Sequence, residues 1–407
     1  MRRRPGTHVV LATRIYPPDH AAAAFRLEAL VRALEQRGCR VTVLTARSPA
    51  DERSVGPPST RVRRWPVLRD RSGYVRGYLP YLSFDLPLAL RLLVTTRPDT
   101  VVVEPPPTTA AVVRAVLALR NVPTRRGRRI PYVYYAADVW SDATAATGTP
   151  PAVVSMVRVL ERFALEGADE VIAVSDGVAA RVRALGARSV AVVPNGIDTG
   201  VFGPEAPAPE SGQRRQHPDD LPPGPFLLYA GTASEWQGAE IFAEAMPDVV
   251  RRQPTARLVF LGHGSAWPRL QQLAAQLPEG TIDLRPLVTA PVAAAWHRAA
   301  TAALASVRPG LDYDFAYPTK VLAALGCGTP VVYAGPGPAV EDLRRHRLGT
   351  PVPYDRAAVA GAMVQALEAV PDPEPARRRV RWVRRHRSIE ATGADAAGVV
   401  LNATGTA

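Results

Sequence analysis

Short, almost unbroken apolar runs alternate with longer helical stretches along this chain, and that alternation limits its fold more than any other property of the sequence. Residues 8–13, 41–45, 100–104, 132–135, 171–174 and 190–193 are the runs in the first half. Their β-branched and aromatic residues are consecutive, not alternating, so both faces of each strand must be covered. Between the runs, apolar residues recur at helical spacing. In residues 21–37 these are Phe25, Leu27, Leu30, Val31 and Leu34, and Gly38 stops the helix. A parallel sheet with helices on both faces satisfies this pattern.

The pattern breaks once. Residues 203–225 hold seven prolines and no periodicity, which marks a linker or surface loop. Strands resume at 226–230, 258–261, 281–284, 302–305 and 330–333, and the tail from Asp372 reads as mostly helical. The expected fold class is therefore α/β, with two doubly wound, Rossmann-like parallel-sheet domains. The expected division is a first domain at 1–200, a Pro-rich linker at 201–224, a second domain at 225–371, and a helical tail at 372–407 packing back on the first. Such sheets bind ligands at the carboxyl ends of their strands, so a central cleft is the expected site.

Composition narrows the function classes. No run approaches the roughly 20 apolar residues that span a bilayer, and the basic opening leading straight into His8 to Leu11 is not expected to be a signal peptide. Cys39 and Cys327 are the only cysteines, too few for a disulfide framework or a cysteine-built metal site. A soluble, cytoplasmic protein is expected. The net charge of +13 invites nucleic acid or an anionic membrane as partner. Yet the arginines are scattered, without the aromatic interleaving of a single-strand binder, so no nucleic-acid partner is expected. The densest basic cluster, residues 376–387, reads as a solvated amphipathic helix, with peripheral contact to anionic head groups at the inner membrane face as the alternative. Among 50 basic residues only Lys320 is a lysine, a compact ammonium in a background of planar guanidiniums.

Several segments carry a resemblance. Tyr16-Pro17-Pro18-Asp19, Val101 to Pro107, Ala137-Asp138-Val139-Trp140-Ser141-Asp142, Val193-Pro194-Asn195-Gly196-Ile197-Asp198, Leu258 to Gly264 and Tyr317-Pro318-Thr319-Lys320, continuing to Gly328-Thr329-Pro330, follow one another in order. Together they resemble the retaining family 4 glycosyltransferases of GT-B fold, nearly end to end. The resemblance implies transfer of a sugar from a nucleotide-diphosphate sugar to a small-molecule (natural-product) or cell-envelope, lipid-linked acceptor. It also implies front-face attack with retention, the donor phosphate helping to take the acceptor proton, and no cofactor or catalytic metal.

Candidate residues follow from the chemistry of a diphosphate, whose charge must be met by backbone amides, a helix start and basic groups. Gly231 and Thr232, ending the first strand of the second domain, form a turn that a phosphate can approach. Pro318 and Thr319 start a helix, and Lys320 in the same turn places an ammonium near the leaving phosphate. His263 in a Gly-His-Gly turn stands on the donor side, and the resemblance adds Asp314, one residue before a position where it places a sugar-holding glutamate, and Glu341 on the following helix facing the pocket. On the acceptor side stand Asp138, which follows a buried strand and can orient or deprotonate a hydroxyl, with Trp140, His20 and Ala21. His297 reads as structural.

The chain also departs from the family. Phe315 and Ala323 stand where the resemblance places two glutamates for the sugar and the ribose, and Thr232 and Gln237 where it places an arginine and a lysine. Two other readings therefore stay open: a catalytically degenerate GT-B protein that binds a nucleotide or a partner, and a GT-B sugar-nucleotide epimerase or hydrolase.

Overall fold

The computed structural model describes residues 6–19, 22–48, 60–69, 75, 77–121, 129–146, 149–205, 221–311, 313–370 and 372–405. The chain divides into two compact units, Met1–Asn195 with Ile389–Ala407, and Gly196–Ser388.

The first unit runs β1 (His8–Ala12), α1 (Ala22–Gln36), β2 (Arg40–Ala46), β3 (Arg61–Trp65), α2 (Tyr78–Val94), β4 (Thr100–Val103), α3 (Pro107–Arg120), β5 (Tyr132–Ala136), α4 (Trp140–Ala146), α5 (Pro151–Gly167), β6 (Glu170–Ala173), α6 (Asp176–Ala184) and β7 (Val190–Val192). Among the described residues its seven strands are all parallel, in the order β3-β2-β1-β4-β5-β6-β7. Strands β1, β4 and β5 are buried at every position, as unbroken apolar runs require. On α1, Leu27, Leu30, Val31 and Leu34 are buried at the i, i+3, i+4, i+7 spacing that lays one helical face on a sheet.

The second unit continues with β8 (Phe226–Ala230), α7 (Glu240–Arg252), β9 (Arg257–Leu261), α8 (Trp267–Ala274), β10 (Ile282–Arg285), α9 (Ala290–Ala299), β11 (Ala302–Ser306), α10 (Thr319–Gly326), β12 (Val331–Ala334), α11 (Pro338–Arg345), β13 (Gly349–Val352), α12 (Arg356–Glu368) and α13 (Pro373–His386). Its parallel sheet has the order β10-β9-β8-β11-β12-β13, the Rossmann arrangement. Two strands lie outside the sequence reading, β3 and β13, and both are sheet edges. Arg61-Val62-Arg63-Arg64-Trp65 is too basic to read as a buried run, and Pro351 in β13 is tolerated because an edge strand need not donate on both sides.

The tail 372–407 is divided between the units. Helix α13 packs on α10, whereas α14 (Ile389–Ala403) packs on α1, with Ala396, Ala397 and Val400 in the core of the first unit. The arginine cluster on α13 is partly structural. Trp382 and Val383 join the core of the second unit, and buried Arg379 donates to the Gly328 carbonyl at 2.8 Å. Arg387, just past the helix, pairs with Asp342 at 2.9 Å. Most of the proline-rich stretch, 206–220, lies outside the described residues.

Candidate functional site

In the second unit the strand order reverses between β8 and β11, so the carboxyl end of β8 is where this sheet is built to take a ligand. Ala230 is in register with Leu261, which brings Gly231 beside Gly262. A Cβ on Gly262 would stand 2.1 Å from the Gly231 carbonyl oxygen, and Gly231 itself has φ +114°. The turn at Gly231-Thr232 thus needs a glycine on each strand, one for close approach and one for its dihedral.

Lys320 reaches this turn from the first turn of α10. Its Nζ donates to the Thr232 carbonyl at 2.9 Å and sits 3.6 Å from the centroid of the Tyr229 ring. The Tyr229 hydroxyl donates to the same carbonyl at 3.2 Å. Among the described residues no carboxylate pairs with the ammonium. Lys320 keeps part of its surface open, yet enough protein surrounds its charge that burial draws the pKa well below the lysine range. Pro318 precedes α10 and no side chain caps the helix, so the N–H groups of Thr319 and Lys320 remain open to an anion. A desolvated cation without a carboxylate, beside an uncapped helix start, is chemically suited to a phosphate.

Residues that sequence reasoning did not assign shape the rest of this turn. Buried Gln237 accepts from the N–H and the hydroxyl of Ser234, both at 3.2 Å, and so closes the 232–237 loop. Trp236 stacks on Tyr313 with centroids 5.0 Å apart, and Tyr313 stacks on Phe315 at 6.1 Å, an aromatic ladder beside the turn. His263 is exposed, and its carbonyl accepts the Ala233 N–H at 2.8 Å, bracing the loop through main chain. Asp314 and Glu341 are exposed, and among the described residues no contact joins either carboxylate to Lys320 or to the Gly231 turn. His297 is buried in the interior, where burial lowers its pKa to about 4.

The first unit has its own reversal, between β1 and β4. Ala12 is in register with Val103, so the next residues, Thr13 and Glu104, meet. The Thr13 hydroxyl donates to Glu104 Oε2 at 2.8 Å. Arg26 on α1 donates to Glu104 Oε1 at 3.0 Å and to Asn195 Oδ1 at 3.1 Å, and its guanidinium lies 5.0 Å from the Tyr135 ring centroid. Asp138 follows β5 at the same sheet edge. More than a third of its surface is exposed, but the protein around it raises its carboxyl above the usual aspartate range. Arg26 opposes that rise and Glu104 adds to it.

Trp140 is held differently. Its N–H donates to Glu161 Oε1 at 2.7 Å and the Ser141 N–H to Oε2 at 2.9 Å, so a buried carboxylate from α5 caps α4. Its ring meets Tyr81 edge-on, and the Arg14 guanidinium covers both rings, at 4.4 Å from Tyr81 and 5.8 Å from Trp140. Asp142 is a bidentate partner of Arg181, at 2.6 and 2.7 Å. His20 and Ala21 lie outside the described residues. Glu104 carries the same signal as Asp138, a carboxylate just past a buried strand, and that signal finds it. Nothing in the sequence distinguishes Arg26 or Arg14 from the other arginines. Among the described residues no cluster of three His, Cys, Asp or Glu could hold a metal ion.

Two family profiles match the chain, a glycosyl transferase 4-like domain over residues 22–196 and glycosyl transferases group 1 over residues 224–369. No curated protein matches it by sequence. Among solved structures, sucrose-phosphate synthase from Thermosynechococcus elongatus superposes with a TM-score of 0.64 at 17% identity, covering 98% of this chain and 96% of that one. HepE from Anabaena, solved in complex with UDP-glucose, gives 0.63 at 15% identity over 97% and 99%. A glycosyltransferase from Rickettsia africae gives 0.67 at 11% identity over 99% and 100%. At these identities the likeness is one of fold, GT-B.

Proposed function

Given that the chain belongs to the group 1 glycosyltransferases and moves a sugar from a nucleotide sugar, we propose that the second unit holds the donor diphosphate against Lys320 and the start of α10. In this reading the first unit presents the acceptor hydroxyl beside Asp138. The observation that carries the reading is the Lys320 ammonium, half-buried, without a carboxylate among the described residues, and tied to the Gly231-Thr232 turn. A diphosphate supplies the missing counter-charge, and its negative charge grows as the glycosidic bond breaks. The ammonium therefore stabilises the transition state more than the ground state.

The bond from the anomeric carbon to the leaving phosphate breaks while the bond to the acceptor oxygen forms on the same face. Attack on the face from which the phosphate leaves gives retention, and the acceptor proton passes to the departing phosphate oxygen. Asp138 orients the acceptor hydroxyl, and Arg26 and Glu104 set the charge around it. Thr232, Pro318, Thr319 and His263 line the diphosphate side. Asp314 and the Trp236-Tyr313-Phe315 ladder contact the sugar, and Glu341 lies toward the nucleoside. Trp140 forms a wall of the acceptor site.

Thermal shift against nucleoside diphosphates and their sugars tests this, with UDP and UDP-glucose as first probes because HepE was solved with both. A ligand at about 100 times its Kd adds about 2.7 kcal/mol of stability. Absence of any shift across uridine, guanosine, adenosine and thymidine diphosphates would overturn the reading. Phe315 and Ala323 favour one rival, a nucleotide-binding protein without transfer. Binding with no sugar consumed, alone or with acceptors, would select it.

A further inference from the structure

Helix α2 is apolar on the side that faces away from its own core. Its buried side holds Phe84, Leu88 and Leu92. Its exposed positions are Leu79, Leu82, Leu86, Leu90, Leu93 and Val94, from 42% to 79% exposed, and none of the described exposed positions is polar. Spacings of three and four residues put the five leucines in one stripe along the helix. A solvated helix face is normally polar, and a contiguous apolar stripe marks a surface made to be covered.

Charge on the neighbouring helices selects what covers it. Helix α3 packs on both α2 and α5, and α5 adds exposed Met156, Val159 and Phe163 at the same helical spacing. Over α2, α3 and α5 the exposed or half-buried charged side chains are Arg91, Arg114, Arg120, Arg158 and Arg162 against the lone carboxylate Glu166. Asp85 and Glu161 are buried, bonded to Thr109 and to the start of α4. A second copy of this face would set like charges against each other. An anionic bilayer complements both the leucines and the arginines. No described helix is long and apolar enough to cross a membrane, so contact lies in the interfacial plane.

We propose that α2, together with α3 and the α5 helix packed on the far side of α3, docks this protein on an anionic lipid surface, with the leucine stripe entering the head-group layer and the arginines meeting lipid phosphates. This stands on the helix face and does not depend on the transferase reading. It assigns the contact to α2 and not to the arginine cluster of α13, whose apolar side packs into the core of the second unit.

The test is co-sedimentation of the full chain with phosphatidylglycerol-containing vesicles and with pure phosphatidylcholine vesicles. The wild-type protein is expected to bind the anionic vesicles, more weakly as salt rises. L86E/L90E should lower that partitioning by about tenfold or more, with an unchanged melting temperature and nucleotide thermal shift. The milder L86A/L90A variant should fall between the two. Absence of wild-type binding, or equal binding by L86E/L90E, overturns the proposal. A wild-type dimer in solution that L86E/L90E dissolves, without vesicle binding, makes a second copy the occupant and also overturns it.

Discussion

Replacing Lys320 by methionine keeps most of the stem volume and removes only the ammonium. In the free protein that charge has one carbonyl acceptor at 2.9 Å and the Tyr229 ring at 3.6 Å, with burial working against it. Its loss should therefore leave stability unchanged or slightly improved. The donor complex is different, because a charge-assisted hydrogen bond to phosphate is worth about 1.5–3 kcal/mol. Losing one oxyanion-stabilising donor costs about 2.7–4 kcal/mol at the transition state. Lys320→Met should thus weaken nucleoside diphosphate binding about 10- to 100-fold and turnover about 100- to 1,000-fold. Calorimetric titration measures the first, and release of nucleoside diphosphate the second. The pH dependence gives an internal check. The folded-state pKa of Lys320 lies below the ordinary value of 10.5, so over that interval the unfolded chain holds the extra proton. Wild-type stability should rise with pH toward about 10.5, and the methionine variant should lose that contribution. Turnover within threefold of wild type, in a folded Lys320→Met protein, would refute the reasoning.

Asp138→Asn should separate activity from stability. The folded-state carboxyl titrates above 3.8, so ionising it works against folding as pH rises through the raised value. At pH 7 the amide should be neutral or stabilising in a melt, while turnover falls about 100-fold or more; a destabilised or fully active variant contradicts this. Arg26→Met leaves buried Glu104 without its cation and should cost about 3–5 kcal/mol in urea unfolding, with Glu104→Gln added in the double variant restoring part of the loss. Purely additive losses would show that the pair is not coupled. Gly262→Ala drives a Cβ into the Gly231 carbonyl and should cost about 1–3 kcal/mol while weakening nucleotide binding, and an unchanged melt with unchanged affinity would show that the turn tolerates displacement.

The sequence alone determined the architecture, because consecutive β-branched positions such as Val101 to Val103 cannot sit in a sheet with a wet face. It also singled out Lys320, Gly231 and Asp138, since the ends of buried strands and the starts of helices are local signals. It did not carry β3 or β13, whose basic and proline-bearing sequences make sense only at a sheet edge. Nor did it separate Arg26, which pairs with Glu104 from 78 residues away, from the other arginines of the chain. The outer face of α2 was equally hidden, because a helix with leucines on both sides shows no polar face in sequence, and which side is covered depends on its neighbours. Periodicity and punctuation depend on residues a few positions apart, so they survive in one dimension. Strand register, burial and the pairing of distant charges depend on which segments become neighbours, and only the folded chain decides that.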